Sequence, residues 1–270
     1  MTTLFPESGG ADVLSVDIGW DATTEGRTAI AYRTFSGISV TPVPANRDLA
    51  AQIGNLASGK ALVLLDIPIE GCAELDARSP FRQVDRALHR CGIPVLPSYK
   101  AAGRGALLRD ELLARRPDLR VEESYPYAVL RVLWALKNAR CGLDLGRDSY
   151  QRVSLSEVWW DWPPRHKGEP SLDARRSAAA EVAKLLCAHF PKAEAVRKLA
   201  AAVPAAESKG LATLSDQFDA LLGLVAGLAA AAASPWSWRA AVGEERGAVL
   251  TISDQWLREQ FRSAGSILDI

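Results

Sequence analysis

Two short, unbroken apolar runs that each end in aspartate place the tightest limit on how this chain folds: residues 13–17 (VLSVD) and 61–66 (ALVLLD). Each is too short for a helix, and each is stopped by a breaker, Gly19 after the first and Pro68 after the second, so both read as strands buried on both faces. Such strands need helices above and below them, which makes the chain α/β. Residues 28–33 and 38–43 read as the second and third strands of a meander that turns at Ser36-Gly37. A right-handed crossover through a short helix at 48–56 then lays the second aspartate-tipped run beside the first and parallel to it. With residues 119–123 as the fifth strand, the expected mixed sheet has the order 3-2-1-4-5 and helices on both faces. Asp17 and Asp66 become neighbours at one sheet edge.

The other periodic segments are helical. They cover 80–90, 107–116, 127–136, 171–189 with Ser171 as N-cap, 193–202 and the very apolar 215–232, followed by a last strand at 247–252 and a closing helix at 253–261. Residues 93–105 form a Pro- and Gly-rich loop expected to cross near the strand ends. Residues 138–170 lack clear periodicity and carry Trp159, Trp160 and Trp162, so they are read as a helical, Trp-rich insertion in a single domain spanning 1–270. These tryptophans suit packing of the insertion or a subunit contact, which leaves a homo-oligomer open, better than base stacking.

Charge excludes little and points nowhere globally: Lys+Arg and Asp+Glu both number 32. Four scattered cysteines and three histidines argue against a structural zinc site and for a reducing, cytoplasmic compartment. MTTLFPESGG has neither the basic patch nor the apolar run of a secretory signal. The apolar stretch 220–233, about 14 residues, falls short of the roughly 20 that a bilayer needs, so no membrane partner is expected.

The acids carry the chemistry. An ionised carboxylate at the end of a buried strand is costly unless it is solvated, paired or metal-bound. Asp17, Asp66 and Glu123 all close strands of one sheet, and Asp216 and Asp219 lie three apart, on one helix face, in SDQFDALL. Each alone has an ordinary reading as a turn or helix-start acid. Together they call for a divalent cation, and oxygen-only ligation suits Mg²⁺ or Mn²⁺, the ions of phosphodiester hydrolysis. Between Arg78 and Arg120, ten Lys/Arg face four acids, which fits either a phosphate-contacting groove or solvated helix pairs at i+3 and i+4 spacing. Lys100, Arg104 and Lys167 fall in loops, where substrate contact is the more natural role.

Several segments in order along the chain, VLSVDIGW (13–20), LLDIPI (64–69), FRQVDRAL (81–88), ESYP (123–126), SDQFDALL (215–222) and GAVLTI (247–252), resemble a family of uncharacterised prokaryotic proteins described as predicted nucleases with an RNase H-like fold. HKGEP (166–170) followed by Ala174-Arg175-Arg176 is a weaker match. The resemblance implies Asp17, Asp66, Glu123 and Asp219 as catalytic acids, with Asp17, Asp66, Asp216 and Asp219 holding metal. It further places the family's Arg-x-x-Asp helix on Arg82 and Asp85 and its Lys-Gly segment at Lys167; with the loop residue Lys100 these are expected at the substrate, with nucleic acid as partner and Mg²⁺ or Mn²⁺ as cofactor. Ser215 stands where a histidine is common in that family. Two other readings stay open. VDIG with Thr23-Thr24 also looks like the first phosphate loop of the actin-like and sugar-kinase fold, although no second Gly-rich D-x-G loop follows, and an RNase H-like scaffold also serves as a non-catalytic binding module.

Overall fold

The computed structural model describes residues 13–19, 27–35, 37–44, 48–101, 103–139, 154–242 and 247–266. Among them the strands form one mixed sheet: β1 (Val13–Ile18), β2 (Thr28–Thr34), β3 (Gly37–Val43), β4 (Leu62–Asp66), β5 (Arg120–Ser124), β6 (Ser237–Ala240) and β7 (Val249–Ile252), in the order β3-β2-β1-β4-β5-β7-β6. The order 3-2-1-4-5 is present, but the sheet has seven strands and not five. β7 adds in parallel to β5, and β6 pairs antiparallel with β7, at Ser237 to Ile252 through Ala240 to Val249. WSWRA (236–240) alternates apolar and polar residues, but over only five positions, so its pairing with β7 is what makes it a strand.

The helices are α1 (Leu49–Leu56), α2 (Gln83–Arg90), α3 (Arg104–Arg115), α4 (Pro126–Asn138), α5 (Leu172–His189), α6 (Glu194–Ala202), α7 (Ser208–Ala231) and α8 (Gln255–Ser266). Asp48 caps α1 by accepting from the Ala51 N–H at 2.9 Å, and Ser171 caps α5 by accepting from Ala174 at 3.1 Å. The expected helix 80–90 starts later, because Pro80 and Phe81 stay outside it and extended Arg82 is its N-cap. The helix read at 107–116 starts earlier, from left-handed Gly103 (φ 74°). α7 begins about two turns before residue 215.

Alternation along the strands sorts the core into two layers. Leu14, Val16, Ile18, Val63 and Leu65 pack with Ile53 of α1 and Leu112 of α3. Val13, Leu62 and Leu64 pack on the opposite face with α2, α4, α7 and α8. Asp17 and Asp66, in step with Val13 and Leu64, therefore point toward α7. By length and composition α7 could cross a bilayer, but 89% of its most apolar window is buried. Of the expected insertion, residues 140–153 lie outside the described ones. The rest is a run of turns whose Trp159 is fully buried, with its indole N–H donating to the Cys91 carbonyl at 2.7 Å. The Arg131 guanidinium lies over the rings of Trp159 (4.6 Å) and Trp162 (4.2 Å), while Trp160 is more than half exposed.

Candidate active site

The acidic site is assembled by matching one helix to one strand. Asp216, Asp219, Gly223 and Gly227 lie at spacings of three, four and four, so they form one stripe on α7. A Cβ on Gly227 would lie 2.5 Å from Val13 Cγ1, and one on Gly223 would lie 2.2 Å from Ser15 Oγ. The missing side chains let the helix press against β1. Four helical residues rise about 6 Å and two strand residues about 6.6 Å, so each turn of α7 advances one same-face position on β1. Gly227 sits level with Val13 and Gly223 with Ser15, and the next step brings Asp219 level with Asp17. The parallel register pairs Asp17 with Asp66.

These residues line a cleft of about 980 Å³, together with Gly19, Arg27, Lys100, Arg104, Tyr125, Arg165, His166 and Lys167. The Lys167 ammonium lies in the middle of the carboxylates, with Nζ 3.1 Å from Asp17 Oδ2, 3.0 Å from Asp216 Oδ1 and 2.5 Å from Asp219 Oδ2. His166 Nε2 is 3.1 Å from Asp219 Oδ1, and its ring stands edge-on to Phe218. Arg27 Nε approaches Asp216 at 3.6 Å.

Crowding of charge shows in the proton affinities. Burial pushes the Asp17 carboxyl up to about 7, against the pull of Lys167 and helped by Asp219 and Asp216. Burial, and next Asp17 and Asp219, hold Asp66 well above the usual carboxylate range. Burial works the same way on Asp219, but Lys167 and His166 outweigh it and keep that group below its ordinary value. Burial opposes the charge on Lys167, and the surrounding aspartates more than compensate, raising its affinity for its proton.

Glu123, Arg82 and Asp85 form a different site. Glu123 pairs in register with Leu65, and so points to the opposite face from Asp66. There it is held by Arg82, all five of whose side-chain N–H groups are used: two on Asp85 (3.0 and 2.8 Å), two on Glu123 (2.7 and 2.6 Å) and one on the Glu70 carbonyl (3.1 Å). Arg82 and Asp85 are each 2% exposed, so the substrate contact expected of them would have to reach a buried pair. Glu123 also accepts from the Ile69 N–H at 3.0 Å, and Gly105 packs so closely on the Pro68 carbonyl that a Cβ would sit 2.2 Å from it. The network fixes the DIPI loop that follows Asp66. Glu123 is thus held by Arg82 and the Ile69 N–H, and it lines a small pocket together with Asp66, Arg82 and Asp85.

Most of the basic run is also structural. Arg86 donates to the Phe81 carbonyl, Arg90 to that of Ala264, Arg116 to those of Gly54, Ala57 and Gly59, and Arg109 and Arg115 pair with Glu70 and Asp48. Lys100 and Arg104 do line the cleft, and Arg104 Nη1 donates to the Gly19 carbonyl at 3.0 Å. Arg27, Arg165, Tyr125 and His166 are cleft residues without a sequence signal of their own, although His166 precedes Lys167 in HKGEP. Thr23 and Thr24, the phosphate-loop alternative, lie outside the described residues. Among the described residues, no three His, Cys, Asp or Glu side chains are arranged to hold a metal as they stand. Comparisons with protein-family models, with curated proteins and with solved structures return no match.

Proposed function

We propose that this cleft is the active site of a divalent-metal-dependent nuclease, a phosphodiester hydrolase acting on nucleic acid from an RNase H-like sheet. The observation that carries the reading is that Asp17, Asp66, Asp216 and Asp219 line one cleft, with the Lys167 ammonium against three of them. The donor set is all oxygen, which suits Mg²⁺ or Mn²⁺, and the Lys167 ammonium is a stand-in cation among three of the four carboxylates. Asp17, Asp66, Asp216 and Asp219 would hold the metal, which supplies an activated water and neutralises charge on the phosphoryl oxygens.

The chain's own groups do the rest. Lys100, Arg104, Arg165 and Arg27 ring the cleft with positive charge, and would attract and orient the phosphodiester backbone over the carboxylates. His166, fixed by Asp219 and Phe218, keeps the Asp219 carboxylate turned inward. Arg82, Asp85 and Glu123 hold the loop after Asp66 and so restrict where its carboxylate sits.

The test is cleavage of labelled single-stranded DNA, duplex DNA, RNA, hybrid and junction substrates with Mg²⁺ or Mn²⁺, by the wild type and by Asp66→Asn. Metal-dependent cutting that the variant loses while it remains folded is the expected result. Wild-type cutting by the variant, or no cutting of any substrate, would overturn the reading.

A further inference from the structure

We propose that Lys167 is a displaceable internal cation: its ammonium occupies the carboxylate site when no divalent ion is bound, and must swing out for the ion to enter. This rests on the metal reading above and adds the control of loading. Four carboxylates from β1, β4 and α7 converge on one cleft. Lys167, from a loop, is the cation in closest contact with them among the described residues, at 3.1, 3.0 and 2.5 Å from three of the four. An ammonium at those distances competes with an ion for the same carboxylate oxygens.

The geometry also provides a way out. The Asp17, Asp216 and Asp219 side chains are 5%, 8% and 12% exposed, whereas that of Lys167 is 38% exposed and lines the open cleft. Its two neighbours differ in freedom. His166 is buried and bonded to Asp219, so it anchors the backbone, while Gly168 follows as a residue without a side chain to obstruct rotation. The lysine stem can therefore rotate toward solvent without disturbing the carboxylates. Once out, the ammonium points into the space where the phosphodiester would lie, beside Arg165 and Lys100.

Competition and displacement make separate predictions. If the open arrangement is a tenth populated or less, the apparent affinity for the ion is weakened about tenfold or more. Mn²⁺ titration, followed by calorimetry and by the EPR signal of the free ion, should therefore give at least about tenfold tighter binding for Lys167→Met and Lys167→Gln than for wild type, with thermal melts confirming that each is folded. If Lys167→Met melts below the assay temperature without metal, recovery of its melting point by Mn²⁺ gives the same affinity through linkage.

Removing a nearby charge would tighten binding even without displacement, so the second measurement uses the wild type. Acylation of Lys167 by acetic anhydride, quantified by peptide mass spectrometry, should be slow without metal and rise several-fold at saturating Mg²⁺, relative to Lys60 as internal reference. Equal affinities in wild type and variants, or ion binding that leaves Lys167 labelling unchanged, would overturn displacement while the metal site stands. No binding by wild type or either variant would overturn the metal reading and this inference with it.

Discussion

Replacing Arg82 by Met tests whether the buried charge network beneath the cleft acts as a structural clamp. The substitution keeps the length and apolar stem of the side chain but removes five hydrogen bonds, four of them to Asp85 and Glu123, and leaves two carboxylates in a site where Arg82 itself is 2% exposed. Removing one partner of a buried ion pair costs about 3–5 kcal/mol, because the remaining charge keeps its desolvation penalty. At roughly 2–4 °C per kcal/mol for a domain of this size, the melting point should fall by about 6–20 °C. The loss also has a pH signature. Burial already raises the affinity of Glu123 for its proton, and Arg82 is the main group opposing this. Without the arginine the folded state takes up a proton that the unfolded chain does not hold, so the folded state binds more protons and stability falls as pH rises. The slope is about 1.4 kcal/mol per pH unit above the ordinary glutamate range. Arg82→Met should thus be closer to wild type at pH 5.5 than at pH 7.5. Urea denaturation of wild type, Arg82→Met, Glu123→Gln and the double variant at both pH values completes the cycle. A loss below about 1 kcal/mol, a loss independent of pH, or additive single effects would refute the clamp.

Four further outcomes follow from the same geometry. Asp66→Asn should stabilise the metal-free protein by roughly 1–3 kcal/mol at pH 7.5, since it removes one of four crowded carboxylates. The wild type should itself lose stability as pH rises from about 4 toward 7, the interval in which Asp17 keeps its proton only in the folded state, and chemical denaturation across that range checks both statements. Gly227→Ala should destabilise by about 1–2 kcal/mol despite alanine's better helix propensity, because its Cβ would lie 2.5 Å from Val13 and 2.9 Å from Leu64; a gain in melting point would refute the close approach of α7. Trp159→Ala should cost about 3–5 kcal/mol by emptying a fully buried site and freeing Arg131, and a melting curve within 2 °C of wild type would show that the Trp-bearing turns are not part of the core.

Local pattern alone was enough for the central strands, their aspartate tips and the helix that faces them. Apolar runs broken by Gly19 and Pro68 have few alternatives, and the spacing of Asp216, Asp219, Gly223 and Gly227 marks one face of a helix whatever it packs on. The right-handed crossover then makes Asp17 and Asp66 neighbours, as the register confirms. Three features needed tertiary structure. β6 depends on a partner strand, since the alternation of WSWRA spans only five residues. The sequence puts Glu123 at a strand end like Asp66, but β5 runs one residue further, to Ser124, and a shift of one residue turns a side chain to the other face. Lys167 is 150 residues from Asp17 along the chain, and no period or spacing could place its ammonium among the carboxylates. The sequence alone determined which elements form and which acids they carry, because those depend on neighbours a few residues away. Which acids share a cleft, which are locked to Arg82, and which cation lies between them were decided only by folding, because each depends on packing between distant segments.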